Sequence, residues 1–270
     1  MTDLPLAILC GLLIGAALGA LGGGGSILAV PALVYGLGLP VSEAIPTSLL
    51  VVGVTAASAA WAHVRAGTVW MRTALTFASM GVLGSFMGAW LGHRVSDAVV
   101  LGGLAILMMV ASVGMWRRGG VMPTTRNADP GSALADGGAV ATRPRTSVAR
   151  RSEVLAAGFG LGLLTGLFGV GGGFLIVPTM VLLLGVPTVP AIGTSLVVIS
   201  VNAFAGFLAH LGMGPVDLSV AGAFAAGGVV GAFVGQCAGS RVSARTLSRA
   251  FAILVLAVGS YTLFDVLTKG

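Results

Sequence analysis

The chain has 270 residues, of which 8% are charged and 56% hydrophobic, with a mean hydropathy of +1.05. A soluble domain carries about 25% charged residues, so water is excluded as the main solvent and the composition reads as an all-α polytopic integral membrane protein. The net charge of +6 invites a nucleic-acid reading, but no basic stripe interleaved with aromatics tracks a phosphate backbone, and no nucleic-acid partner is expected.

Apolar stretches bounded by Gly, Pro or charge run over residues 4–21, 26–37, 45–64, 71–91 and 98–116, and then over 154–168, 174–184, 192–211, 218–238 and 247–267. A full crossing needs about 20 apolar residues, so 26–37 and 174–184 read as half-helices. Whether the chain makes 8 or 10 membrane segments depends on how far these two reach. The continuous runs lack the period-2 alternation of a barrel strand. The acids Asp3, Glu43, Asp97, Asp129, Asp136, Glu153, Asp217 and Asp265 all fall at segment edges or in the linker. Cys10 and Cys237 read as small buried hydrophobes. With Asp3 and no base ahead of the first apolar run, the N-terminus reads as a retained membrane segment rather than a cleaved signal.

Residues 1–116 form a first transmembrane repeat, 117–152 a basic linker and 153–270 a second repeat. The linker holds Arg117, Arg118, Arg126, Arg143, Arg145, Arg150 and Arg151 among Gly, Pro, Ser and Thr. It has too few large apolar residues to fold and reads as a disordered cytoplasmic tether. Pro31 and Pro178 fix the offset between the repeats at 178 − 31 = 147, and from Gly11 to Gly67 24 of 57 positions are identical without a gap. Duplicated halves with glycine-interrupted apolar segments at matching places are a signature of secondary transporters.

Arginine placement orients the halves. Arg65 and Arg72 flank the third loop of half one, whereas the matching loop of half two carries Asp217. Arg241, Arg245 and Arg249 crowd the fourth loop of half two against Arg94 alone in half one. Five segments per half put the basic loops and the linker on one side, so the halves are expected to be inverted with both termini outside. Four crossings per half would send the Arg241 cluster outward.

The candidate site lies at the glycine breaks. Gly22-Gly23-Gly24-Gly25-Ser26 and Gly169-Val170-Gly171-Gly172-Gly173 each precede a short helix. Glycine permits the break, and the first N–H groups of the next helix are left for an anion. Gly23, Gly24, Gly25, Ser26, Gly171, Gly172 and Gly173 are therefore substrate-binding candidates. Thr47, Ser48, Thr194 and Ser195 open the next segment of each half, where their hydroxyls either coordinate the anion or bond back to their own helix. Asn202, opposite Thr55, is a further donor candidate, with interhelical hydrogen bonding as the alternative. His63 and His210, equivalent under the offset, are candidates for gating or proton linkage; the alternative for His63 is a membrane-interface marker, and His93 reads as a loop residue. Gly11/Gly15/Gly19, Gly158/Gly162/Gly166 and Gly81/Gly84/Gly88/Gly92 with their partners have the spacing of close helix packing.

The repeated G-x3-G-x3-G-x2-G-x-G-G…V-P block, followed by G-x-P…A-I-x-T-S-L, resembles the sulfite exporter TauE/SafE family across both halves, the linker excepted. Departures from strict symmetry are Val170 opposite Gly23, Gly173 opposite Ser26 and Gly193 opposite Pro46. The resemblance implies a multi-pass carrier in a bacterial inner (plasma) membrane, acting on sulfite, sulfoacetate or another small organic anion. The expected partners are that anion and the lipid bilayer; a homo-oligomer is compatible with the sequence. No cofactor or metal is expected, since no H-E-x-x-H occurs and no carboxylate lies within a span. An anion channel and a membrane-embedded enzyme are the alternatives, the latter disfavoured because no nucleophile has an evident base and orienting group.

Overall fold

The computed structural model describes residues 3–117, 148–171, 173, 176–177, 179–180, 188–211, 216–239 and 244–269. The expected segment 174–184 lies largely outside the described residues, as do linker residues 118–147.

Half one contains α1 (Asp3–Leu21), α2 (Gly24–Gly36), α3 (Val41–Arg65), α4 (Met71–Gly92) and α5 (Asp97–Arg117). Half two contains α6 (Val148–Phe168), α7 (Thr188–His210), α8 (Leu218–Gly239) and α9 (Ala244–Lys269). Seven of these are long and apolar enough to cross a membrane; α2 and the apolar part of α6, Val154–Phe168, are shorter. The described residues contain no strand. α6 starts at Val148, inside the stretch read as linker. Two sequence signals set helix starts. Asp217 accepts the Ser219 and Val220 N–H groups at 2.8 and 3.1 Å ahead of α8, and Pro40 precedes α3 in an extended conformation.

Large apolar side chains cover the outer surface as well as filling the core, where Phe77, Phe224, Leu49 and Leu104 are fully buried. On α5, Val99, Ile106, Val110 and Val113 are exposed along one stripe, as are Leu75, Leu83, Phe86 and Trp90 on α4. Such helices are apolar all round and suit a lipid surround. Arg65, Arg94 and Arg249 lie over the rings of Trp61, Trp90 and Trp116, at 4.8, 3.8 and 5.8 Å. These pairs stand at helix ends, where aromatic and basic side chains meet a membrane surface.

Because lipid tails are as apolar as leucine, helices associate here through close approach of small residues. Gly11, Gly15 and Gly19 of α1 back onto the carbonyls of Phe224, Gly228 and Ala232 of α8. Gly158, Gly162 and Gly166 of α6 back in the same way onto Phe77, Gly81 and Ser85 of α4. Every pair in the second set is the first set displaced by 147, and in both the two helices run parallel. The four-residue glycine series are therefore packing seams.

α3 and α7 form the central contact. Gly206 lies against Leu49 and Gly193 against His63, so the two helices run antiparallel. At their crossing the Ser200 hydroxyl donates to Gly53 O at 3.2 Å, and positions 53 and 200 are themselves equivalents. The α5–α9 contact is antiparallel too: Gly259 meets Ala105, and the Ser112 hydroxyl donates to Ala252 O at 3.0 Å, again the same contact displaced by 147.

Candidate functional site

The two glycine breaks meet between the halves. After α1, Gly22 and Gly23 take φ values of 68° and 128°; after α6, Gly169 and Gly171 both take 68°. These left-handed conformations are open to glycine and costly for L side chains. The N–H groups of Gly22 and Gly23 both donate to Leu18 O, at 2.9 and 3.1 Å, which ends α1. The first bond inside α2 runs from the Ser26 N–H to Gly23 O at 3.3 Å, so the N–H groups of Gly24 and Gly25 fall outside the ladder of that helix. The Ser26 hydroxyl adds a second bond to Gly23 O at 2.9 Å.

A Cβ on Gly23 would stand 2.8 Å from Gly173 O, and one on Gly173 would stand 2.7 Å from Gly23 O. Each would also reach the Ile199 Cδ1 at 2.7 Å, while a Cβ on Gly171 would meet Val52 at 2.7 Å and Ser26 Cβ at 3.6 Å. Gly23, Ser26, Gly171 and Gly173 thus converge between Val52 and Ile199, an equivalent pair of side chains. Gly24 and Gly25 play another part: Gly25 packs against α1 at Ile14 and Leu18, and Gly24 against Leu21 and Phe251. Gly172 lies outside the described residues.

Ser48 and Ser195 tie each break to the opposite half. The Ser48 hydroxyl is 2.7 Å from Gly169 O and the Ser195 hydroxyl 3.0 Å from Gly22 O. Each also faces a carbonyl of its own helix, Ile45 O at 2.7 Å and Ile192 O at 2.8 Å. A hydroxyl has one hydrogen, so the bond between halves and the local bond share it. The back-bonding read from the sequence is thus present in the geometry, beside a bond to the opposite break that the sequence did not suggest.

Thr47 and Thr194 are fully buried but differ. Thr194 Oγ1 accepts the Trp70 N–H at 3.0 Å, whereas Thr47 Oγ1 has no hydrogen-bond partner. Asn202 is fully buried with both amide atoms unpartnered, packed against Gly81. Its equivalent Thr55 is buried against Gly228 with its hydroxyl unpartnered as well. Thr47, Thr55 and Asn202 are polar groups in a lipid-facing bundle, where an unmet hydrogen bond is costly.

The histidines stand apart from the breaks, at the C-terminal ends of α3 and α7. His63 Nδ1 is 3.2 Å from Thr68 Oγ1, and the Thr68 hydroxyl donates to His63 O at 3.1 Å. Buried His210 places Nδ1 2.8 Å from Gly206 O, a geometry that puts the hydrogen on that nitrogen. Since α3 and α7 are antiparallel, the two rings occupy opposite ends of the central pair. His93, read as a loop residue, caps α4 and its ring centroid lies 6.2 Å from that of His210. Sequence reasoning also passed over Val52, Ile199, Gly53 and Ser200. The 147-residue offset makes positions 53 and 200 equivalents, but it pairs every position in this way, so no sequence signal marks them as the place where the two central helices cross.

The arrangement offers hydroxyls, an amide and backbone N–H groups, with no cluster of three or more His, Cys, Asp or Glu among the described residues. These are hydrogen-bonding groups.

A family profile described as sulfite exporter TauE/SafE matches residues 7–262. A "Probable membrane transporter protein" of Xylella fastidiosa (strain 9a5c) is 34% identical over 265 residues, covering 97% of this chain and 95% of that protein. The "Probable membrane transporter protein YunE" of Bacillus subtilis (strain 168) is 26% identical over 273 residues, covering 96% of this chain and 97% of its own length. No solved structure matches. The profile reaches across both halves, and with seven apolar helices of crossing length the chain is a multi-pass membrane transporter that belongs to the sulfite exporter TauE/SafE family.

Proposed function

We propose that this protein is a secondary carrier that exports a small oxyanion, of the sulfite or organosulfonate class, by alternating access around the paired glycine breaks. The observation that carries the reading is the meeting of Gly23 and Gly173 from opposite halves, each break held by a serine of the other half. Backbone N–H groups outside the helix ladder and hydroxyls suit the oxygens of a sulfite or sulfonate. The family description names sulfite export, and the acids fall at segment edges or in the linker, so no carboxylate in mid-segment demands a cation. With the cell interior negative, outward movement of one negative charge is favourable by about 2.3 kcal/mol per 100 mV, so efflux runs without a coupling ion.

An inverted arrangement of the halves fits the contacts. Equivalent helices α3 and α7 run antiparallel, as do α5 and α9. A two-fold relation between antiparallel helices lies perpendicular to them, which for crossing helices is the membrane plane. In that arrangement the arginine-rich linker faces the cytoplasm of a bacterial plasma membrane, and His63 and His210 stand at opposite mouths as gating residues. The full burial of Ser26, Thr47, Ser48, Thr194 and Ser195 supports a carrier closed on both sides over an open channel.

Radiolabelled sulfite and sulfoacetate flux in proteoliposomes tests the proposal. Saturable flux, accelerated by unlabelled anion on the far side, is expected. Non-saturable flux without counter-transport would make the protein a pore, and absence of any anion flux would overturn the reading.

A further inference from the structure

On the alternating-access reading above, we infer that the two bodies that move against each other in transport are not the sequence repeats. They are α1, α2, α3, α8 and α9 on one side and α4, α5, α6 and α7 on the other, so the repeats have exchanged their last two helices. Among the described residues, the last two helices of each half pack on the other half and form no packing face with the rest of their own. α4 packs on α6 and α7, and α5 on α9 and α6. α8 packs on α1 and α3, and α9 on α5, α1 and α2. A body that moves as a unit needs an interior of its own, and a repeat whose final helix pair is seated elsewhere does not supply one.

Two kinds of contact separate what is held from what slides. In the α1–α8 and α4–α6 seams each helix seats glycines on the main chain of the other. Gly227, Gly231 and Gly235 of α8 lie on the carbonyls of Ile8, Leu12 and Ala16, and Gly84 and Gly88 of α4 on those of Phe159 and Leu163. Sliding such a seam by one residue drives a side chain into a main chain, so it keeps its register. Thr55 on Gly228 and the Gln236 Nε2 bond to Ala59 O at 3.3 Å join α3 to α8. Asn202 on Gly81 and the Trp70 N–H bond to Thr194 Oγ1 at 3.0 Å join α7 to α4. Contacts between the two bodies are of the other kind. At α3–α7, Gly206, Gly53 and Gly193 face the side chains of Leu49, Phe204 and His63, and side chains change rotamer where a main chain cannot yield. The serine bonds that cross this boundary, to Gly169 O and Gly22 O, each have a second acceptor on the serine's own helix. α5 follows one body through Gly103 on Phe168, and α9 the other through Phe251 on Gly24. The chain then passes between bodies only from α3 to α4 and from α7 to α8, and the linker joins two helices of one body.

The test places spin labels in pairs on the full chain in lipid nanodiscs, in a Cys10→Ser, Cys237→Ser background. Leu4, Met87, Ala156 and Val234 are exposed, so their cysteine variants are expected to fold. The pairs Leu4/Val234 and Met87/Ala156 join opposite halves within one body. The pairs Leu4/Met87 and Ala156/Val234 join one half across two bodies. Double electron–electron resonance on the ligand-free protein is expected to give one narrow distance for each of the first two pairs. The last two should give broad or double distributions with maxima about 5 Å apart, one helical turn of displacement. Saturating sulfoacetate should shift weight between those maxima. Narrow distances within each half and broad ones between halves would overturn the inference and return the motion to the repeats. Four equally narrow distributions would overturn it as well. Anion flux is measured on the same labelled proteins. The expected pattern without flux would sustain the two bodies and defeat the carrier reading, whereas flux with the reverse pattern would defeat the two bodies alone.

Discussion

Ser48 Oγ lies 2.7 Å from Gly169 O, across the boundary between the two halves, and at the same distance from Ile45 O of its own helix. Ser195 repeats the relation with Gly22 O and Ile192 O at 3.0 and 2.8 Å. When a break moves away, the hydroxyl hydrogen falls back on the local carbonyl, so each tie opens without stranding its donor. The bond is thus suited to a contact that forms and breaks, as the proposed alternating access requires.

Removing these hydroxyls leaves the Gly169 and Gly22 carbonyls buried without that donor. Ser48→Ala and Ser195→Ala are each expected to lower stability by about 1–3 kcal/mol. Thermal unfolding in detergent measures this, and in the double variant sulfite flux should fall further than either single change predicts. Unchanged melting in both singles would show that the ties contribute nothing.

The left-handed glycines separate backbone strain from steric fit. Gly38 and Gly22 have nearly equal φ, 70° and 68°, but a Cβ on Gly38 meets nothing within 4 Å whereas one on Gly22 reaches Ile192 at 2.9 Å. Gly38→Ala should cost only the conformational strain of about 1–2 kcal/mol and keep its flux. Gly22→Ala should cost more and slow transport. Equal effects on unfolding and flux would contradict this difference.

Leucine at Gly15 or Gly162 would collide with the backbone of the partner helix, at Gly228 or Gly81. Both variants should abolish monodisperse protein in detergent. Leucine at Gly160 or Gly222, where a Cβ meets nothing within 4 Å, should leave size-exclusion profiles unchanged. The comparison isolates the packing seams from glycine content as such.

Asn202 separates stability from function. Its amide is buried without a partner, so Asn202→Ala removes an uncompensated polar group and should leave the melting temperature equal or higher. If the amide contacts the transported anion, flux falls about tenfold through the loss of roughly 1.4 kcal/mol. A lower melting temperature with normal flux would instead make Asn202 a structural residue.

Much of this fold is legible in one dimension because a membrane imposes simple rules. Apolar runs of crossing length must be helices, and α1, α3, α4 and α5 match residues 4–21, 45–64, 71–91 and 98–116 to within a few residues. The 147-residue offset likewise identifies which helices are equivalents, and glycine spacing marks the close-packing faces, since only absent side chains let backbones touch. Sequence by itself could not divide the glycine run, because Gly23 and Gly25 are chemically identical and differ only in what lies opposite: Gly173 for one, α1 for the other. Nor could it pair Ser48 with Gly169 or bring His93 to His210, contacts across 121 and 117 residues. Those depend on how α3 crosses α7, and a crossing is set by the simultaneous fit of all the seams rather than by any local pattern.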